Sequence, residues 1–380
     1  MGLIGAVCGL AMIILMMVDG FETILQPRRV THRFRFARLF YRGTWWVWRA
    51  GALRIPAGKR RNAFLSFFGP LSLLGLFATW VVGLVLGFAL LHAALGTRLH
   101  TPDATATAWS YVYFSGSTFF TLGYGDMTPL ATAGRVLAVV EAGLGFGFLA
   151  VIISYLPVLS DAYSRREIAI SLLDARAGSP PSAAQFLRRA AQSGDADAVE
   201  SMLGEWEQWA ATLLESHLSF PVLAYYRSQH DNQSWLAALT AILDVCAILL
   251  AQVQERTTYQ AQLTFAMARH VAVDLTLVFK VPPCPHAAER LPEAEYAALR
   301  SVLAEAGLVI AQDADAEARL AELRGMYEPF LQALARRFLL TLPPMLREDT
   351  VDNWQTSAWV RRTPGIGQLA KLDPADEHFD

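Results

Sequence analysis

Thr121-Leu122-Gly123-Tyr124-Gly125-Asp126 is the stretch on which the reading of this chain turns. Gly123 and Gly125 can take dihedrals that other residues avoid. The stretch is flanked by apolar sequence on both sides. From Asn62 through Gly96 there is no Asp, Glu, Lys or Arg. A span over Ala63 to Leu95 is longer than a bilayer requires, so it tilts or begins as an interfacial stretch. A polar turret, Gly96 to Thr105 with Pro102 and Asp103, follows it. Ala106 to Phe120 is too short and too polar to cross. It reads as a re-entrant helix, because irregular backbone at membrane depth must be buried in protein or line water. After the hexapeptide, Ala131 to Pro157 forms another span. Its Gly143, Gly145 and Gly147 are unfavourable in a soluble helix, but in a membrane they allow close approach or bending. Pro157 marks a kink or the helix end.

This setting gives the hexapeptide a chemistry. A K⁺ ion entering a narrow pore sheds water, and something must replace that water at similar energy. Backbone carbonyls of Thr121, Leu122, Gly123, Tyr124 and Gly125 can do so if they face one axis. Thr121 adds a hydroxyl at the inner mouth, and Tyr124 can hold the strand from behind. One loop supplies a quarter of each coordination cage, and a single copy occurs, which implies a homotetramer. The only metal predicted is K⁺ in this filter, and no other cofactor is expected.

These residues resemble the potassium channel superfamily, in particular bacterial channels with two spans around one pore loop. The resemblance covers roughly Ala63 to Pro157. Thr121, Gly123, Tyr124, Gly125 and Asp126 match the family filter. Leu122 stands where Val or Ile is usual, Phe120 replaces a common Thr, and Ser117 occupies a pore-helix position where some members carry Glu. Arg135 and Gly145 fall where members often have an arginine after the filter and a hinge glycine. The resemblance implies passive K⁺ flux and no enzymatic activity. Two other readings stay open. One is a non-conducting structural or regulatory membrane subunit that keeps the pore fold. The other is a cation channel of low K⁺/Na⁺ selectivity, against which the intact Tyr124 argues.

Glu141 is the one acid inside the third span, and an ionisable residue at such a place is a functional candidate. It lies one turn before Gly145. It is expected to support the filter from behind, with Asp126 and Ser117, pairing with Ser115 or Ser117. It could instead face the cavity and attract cations, or make an ordinary interhelical contact. Gly145, Phe146, Leu149 and Ile153 recur about a turn apart and are candidates for the cavity wall. Ile153, Leu156 and Pro157 are candidates for a hydrophobic gate; the alternative is gating at the filter.

The remaining sequence frames this module. The chain has 380 residues, with 54% hydrophobic and 17% charged, against about a quarter charged in ordinary soluble domains. The apolar bias lies in the first 160 residues or so, and most of the acid lies after them. Gly2 to Val18 is read as a retained span rather than a cleaved signal, since no Lys or Arg precedes it and no small-x-small site follows. Thr23 to Pro102 contains no acid, and the segment from Arg28 to Arg61 mixes arginines with Trp45, Trp46 and Trp48. That mixture suits a helix at an anionic headgroup layer, or a loop that only sets orientation. Nucleic acid is not an expected partner. Positive-inside bias places the amino terminus outside an inner (plasma) membrane.

Beyond Pro157 the chain reads as amphipathic helices. Trp235 to Val253 and Leu263 to Val281 are apolar, but Asp244, His270, Asp274 and Lys280 interrupt them, so they read as buried bundle helices. No GxGxxG after a strand, P-loop, HExxH or EF-hand loop appears. Cys8, Cys246 and Cys284 imply no disulfide framework. The expectation is thus an all-α membrane protein: an extra span in 1–20, a basic interfacial segment in 21–62, a pore domain in 63–157, a helical cytoplasmic domain in 158–342 and a polar tail in 343–380.

Overall fold

The computed structural model describes all residues except 1, 27–34, 102–104, 194–195, 230–231, 254–257, 285–288, 312–313 and 348–380. Arg28, Arg29 and Arg33 of the basic segment, Pro102 and Asp103 of the turret, and the tail beyond Arg347 lie outside the described residues. The protein is an all-α membrane protein, with one two-stranded ribbon among the described residues. It divides into two compact units, Met1–Ala162 with Ser219–Tyr226, and Tyr163–Leu218 with Arg227–Asp380. The boundary thus falls after Ala162 rather than at Pro157, and a short later segment joins the first unit.

The first unit begins with α1 (Gly2–Ile24), α2 (Phe36–Ala52), α3 (Lys59–Ser66) and α4 (Phe68–Ala94). Helix α1 runs antiparallel to α4, because Gly5 meets Ala94 while Met16 meets Gly83. Small residues set the distance: a Cβ on Gly9 would lie 2.7 Å from the Gly87 carbonyl oxygen. Such contact is how helices associate where lipid removes the hydrophobic drive between them.

Helix α1 extends beyond the expected Val18 and carries Asp19, which is 3% exposed. The carboxyl accepts from the Ala37 amide at 3.1 and 3.0 Å and from Trp80 Nε1 at 2.8 Å. Helix α2 has Arg35 as N-cap with no capping side-chain bond. Asp19 therefore supplies, from another helix, an acceptor and a negative charge at an open helix start.

The ribbon pairs β1 (Leu99–His100) with β2 (Thr128–Pro129), Leu99 opposite Pro129 and His100 opposite Thr128. Between them lies α5 (Ala108–Phe119). Thr107 and Ser110 form a reciprocal capping box at its start, which satisfies two otherwise unpaired amides. Then α6 runs from Thr132 to Ala177, 46 residues without a break. Pro157 therefore does not end the helix. A proline forfeits one hydrogen bond, but the sequence that follows is rich in Leu, Ala, Arg and Glu and favours helix again. At 1.5 Å per residue α6 is about 69 Å long, well beyond a hydrocarbon core of about 30 Å.

The second unit contains α7 (Ala183–Ser193), α8 (Ala196–Ser219), α9 (Trp235–Gln252), α10 (Thr258–Phe279), α11 (Glu293–Glu305), α12 (Ala314–Gly325) and α13 (Glu328–Phe338). Helix α9 is apolar and long enough to cross a membrane, yet nearly all of it is buried against α7, α10, α12 and α13. Its Asp244 is fully buried and accepts from Arg290 at 2.6 and 3.1 Å and from Tyr327 at 2.6 Å. A carboxylate so enclosed is tolerable because both oxygens are paired. The cysteines are unbridged.

Candidate functional site: the loop between α5 and α6

The loop is set by its two anchors. At its start the Thr121 amide donates to the Thr118 carbonyl at 3.0 Å and the Leu122 amide to the Ser117 carbonyl at 2.8 Å. At its end Tyr113 of α5 donates its hydroxyl to Asp126 at 2.8 Å. Beyond it, the Leu130 amide reaches the Arg98 carbonyl at 2.9 Å, and Arg135 Nε reaches the Pro129 carbonyl at 3.1 Å. The turret and the segment after the loop are thereby tied.

Within the loop, φ is positive at Thr121 (55°), Gly123 (62°) and Gly125 (78°), and at neither residue between. In an ordinary extended strand successive carbonyls face opposite sides. Alternating handedness turns successive peptide units so that their carbonyls share one side. Glycine adopts the left-handed half without penalty, whereas Thr121 is β-branched and strained there. Leu122 and Tyr124 are exposed in the single subunit, at 54% and 70%.

Behind α5 lies a polar network that joins three helices and the turret. Glu141 of α6 is fully buried and meets the Ser115 hydroxyl of α5. Ser115 also reaches the Val85 carbonyl of α4 at 3.0 Å. The other Glu141 oxygen lies 3.3 Å from His92 Nε2, and both side chains are 0% exposed. His92 Nδ1 is 3.2 Å from the Thr97 hydroxyl, and Tyr111 donates to the Thr97 carbonyl at 2.9 Å. Phe114 closes the site, edge-on to the His92 ring at 5.2 Å.

The structure distributes the expected residues unevenly. Glu141 meets Ser115, not Ser117; Ser117 contributes its carbonyl to the loop start. Asp126 meets Tyr113. Gly145 is buried against the Phe119 carbonyl at the end of α5, so it is a contact glycine rather than an open cavity position. A hinge residue there would have to break that contact. Leu149 is half-buried, and Ile153, Leu156 and Pro157 are exposed in the single subunit. His92 and Asp19 were missed. His92 is the one ionisable group of the apolar α4, and Asp19 is, with Glu22, one of the two acids of α1; that was the available signal.

Residues 76–158 match a family model described as an ion channel. The chain carries an ion-channel domain. This channel domain includes most of α4, all of α5, the loop and α6 as far as Val158. The chain is 26% identical over 202 residues to an uncharacterized membrane protein, YdjJ, of Bacillus subtilis (strain 168), covering 52% of this chain and 57% of that protein. It is 35% identical over 85 residues to protein LctB of Geobacillus stearothermophilus, covering 20% of this chain and 63% of that protein. LctB of Bacillus caldotenax is 34% identical over 85 residues, with the same coverage. The chain thus spans less than two thirds of each relative's length. No solved structure matches it. The matches support a potassium-channel-like superfamily for the channel domain, and its apolar helices make this a multi-pass membrane protein. No group of His, Cys, Asp and Glu among the described residues could hold a metal ion.

Proposed function

We propose that four copies of this chain form a K⁺-selective pore, conducting K⁺ down its electrochemical gradient. The observation that carries this reading is the alternation of backbone handedness at Thr121, Gly123 and Gly125, in a loop anchored at both ends. Four such loops about an axis would present stacked carbonyl rings that replace an ion's water. K⁺ ions in the filter are the only cofactor proposed, and no enzymatic role is assigned. Tetramer formation is supported by the large apolar side chains that one subunit leaves exposed on α6, among them Val139, Phe146 and Ile153.

Asp126, Ser117 and Glu141 are proposed as filter support, with Glu141 acting through Ser115 and His92. Leu149, Ile153, Leu156 and Pro157 are proposed for the cavity and gate. In this reading the chain lies in the plasma membrane, amino terminus outside and second unit in the cytoplasm. Helix α2 exposes Leu39, Trp46 and Val47 beside Arg38 and Arg42, which supports docking to anionic headgroups.

The test is flux from proteoliposomes holding the full chain. K⁺ flux far above Na⁺ flux is expected, since carbonyl cages discriminate on size and field. Equal flux of the two ions would leave only a non-selective cation channel. Absence of flux from correctly assembled protein would leave a non-conducting membrane subunit.

A further inference from the structure

Four contacts link the turret, α4, α5 and α6 near the loop at 121–126, all within the first unit. The Thr97 hydroxyl meets His92 Nδ1 at 3.2 Å. His92 Nε2 lies 3.3 Å from Glu141 Oε2, within reach though not aligned as a hydrogen bond. Glu141 Oε1 meets the Ser115 hydroxyl, and that hydroxyl also meets the Val85 carbonyl at 3.0 Å. Each contact needs one hydrogen.

Ser115 has one hydrogen and two oxygen partners. A carbonyl oxygen only accepts, so the contact with Val85 takes the hydrogen of Ser115. The contact with Glu141 then has nothing between its two oxygens unless the carboxyl supplies a hydrogen, and an ionised carboxylate has none. With Glu141 ionised and His92 neutral, the side chains offer one hydrogen too few and leave a negative charge. A further proton on His92 does not mend this. Both ring nitrogens then donate, Thr97 must accept, and Ser115 is still one hydrogen short. With the proton on Glu141 Oε1, every contact is served once. Thr97 donates to His92, His92 to Glu141, Glu141 to Ser115, and Ser115 to Val85. That arrangement carries no net charge.

The surrounding elements offer nothing to balance a carboxylate. His92 is the one ionisable side chain of α4. On α5, Tyr111 is engaged by the Thr97 carbonyl and Tyr113 by Asp126. Arg135 of α6 is exposed and bound to the Pro129 carbonyl, and Arg98 and His100 of the turret are exposed. Helix α1 meets this end of α4 through Gly5 and Gly9, where Cys8 is exposed; its acids, Asp19 and Glu22, are engaged by Trp80 and Arg35. His92, Ser115 and Glu141 are all fully buried, and a buried charge without a charged partner is costly.

We propose that Glu141 holds α5 in place as a protonated acid: its carboxyl donates to Ser115, which leaves the Ser115 hydroxyl free to bind the Val85 carbonyl. One atom of α5 is thereby held to α4 and α6 at once. The inference deepens the filter-support role proposed above and rests on that reading for its effect on the loop, whereas the hydrogen count stands apart from it.

The test is infrared spectroscopy of the full chain in lipid nanodiscs at neutral pH, beside Glu141→Gln and Ser115→Ala. A protonated carboxyl gives a C=O stretch well above the carboxylate bands. Such a band is expected in the wild type, lost in Glu141→Gln, and moved to higher frequency in Ser115→Ala, where the acid has lost its acceptor. Identical spectra of wild type and Glu141→Gln in that region would overturn the proposal. A band that Ser115→Ala leaves unmoved would also overturn it, because the acid would then donate elsewhere. Should Glu141→Gln fail to assemble, the comparison with Ser115→Ala decides alone. K⁺ flux from the same preparations tests the conduction reading separately: a band without flux removes that reading and leaves the proton on Glu141.

Discussion

His92 and Glu141, on helices α4 and α6, meet 3.3 Å apart with both side chains fully buried. Their other side-chain partners in the network are the Thr97 hydroxyl for His92 and the Ser115 hydroxyl for Glu141. The pair therefore adds a polar contact between the two helices beside α5, the helix that leads into the loop at 121–126.

Breaking this pair from one side should be worse than removing it whole. A single polar partner left unsatisfied in an apolar site costs about 1–3 kcal/mol, whereas replacing both by apolar groups of similar shape is often close to neutral. His92→Leu and Glu141→Leu should each lower the thermal stability of the assembled protein, and the double variant should recover much of the loss. Additive losses in that cycle would show that the two side chains are not coupled. Glu141→Gln, which keeps a hydrogen-bonding partner for Ser115, should be milder than Glu141→Leu and, on the proposed conduction reading, should shorten open dwell times in single-channel recording.

The loop makes a second prediction. Gly123 has φ of 62°, and among the described residues no atom lies within 4 Å of where its Cβ would be. Alanine would fit the space but not the backbone, at about 1–2 kcal/mol for the left-handed conformation. Gly123→Ala should therefore assemble normally and fail in K⁺/Na⁺ discrimination. At Gly145 the order reverses: φ is ordinary, but the Phe119 carbonyl occupies the space. Gly145→Ala should impair assembly first, as read by the oligomer's elution and melting temperature.

How much of this was visible in the sequence follows from the range of the interactions. The loop at 121–126 stood out because its signal is local: two glycines in six adjacent residues, between two apolar spans. The meeting of Glu141 with Ser115 was also within reach, since α5 and α6 are joined by one short loop. His92 was not, because its role depends on α4 lying beside α6, a pairing that the uniform apolar sequence of α4 does not record. The continuation of α6 past Pro157 was hidden for another reason. Hydropathy falls there while helical propensity does not, and the change of solvent was read as a change of structure. The placement of Ser219–Tyr226 in the first unit has no local signature beyond its aromatics.

Asp19 offers a third prediction. It stands in for the missing cap of α2 and holds the Trp80 indole at 2.8 Å. Asp19→Asn replaces one of the two oxygens by an NH2 group, a donor that then faces the Ala37 amide or the Trp80 indole. A charged acceptor contributes about 1.5–3 kcal/mol. The variant should therefore expose the first turn of α2, with faster hydrogen exchange at Ala37 and its neighbours. Trp80→Phe removes the indole donor alone and should leave the Ala37 amide protected. Equal exchange at Ala37 in wild type and Asp19→Asn would mean that α2 is held by its ring contacts instead.

The last prediction concerns pH and the second unit. His217 of α8 is fully buried; its Nδ1 meets the Leu213 carbonyl at 2.8 Å, and its Nε2 has no hydrogen-bond partner among the described residues. Burial, aided by the nearby positive charge of Arg166, lowers its pKa from the ordinary 6.5 to about 3. The folded protein thus keeps this ring neutral where the unfolded chain would protonate it. Stability is full above about pH 6.5 and falls as pH drops toward 3, by up to about 1.4 kcal/mol per pH unit. At pH 4.5 the loss from this one group is about 2–3 kcal/mol. In urea unfolding followed by amide exchange in α8 and α9, the wild type should weaken steadily between pH 6.5 and 4.5. His217→Phe gives up the bond to Leu213 and should start lower at pH 7.5, but its stability should vary less with pH across that window. Parallel pH profiles for the two proteins would show that His217 is protonated in the folded state as readily as in the unfolded one.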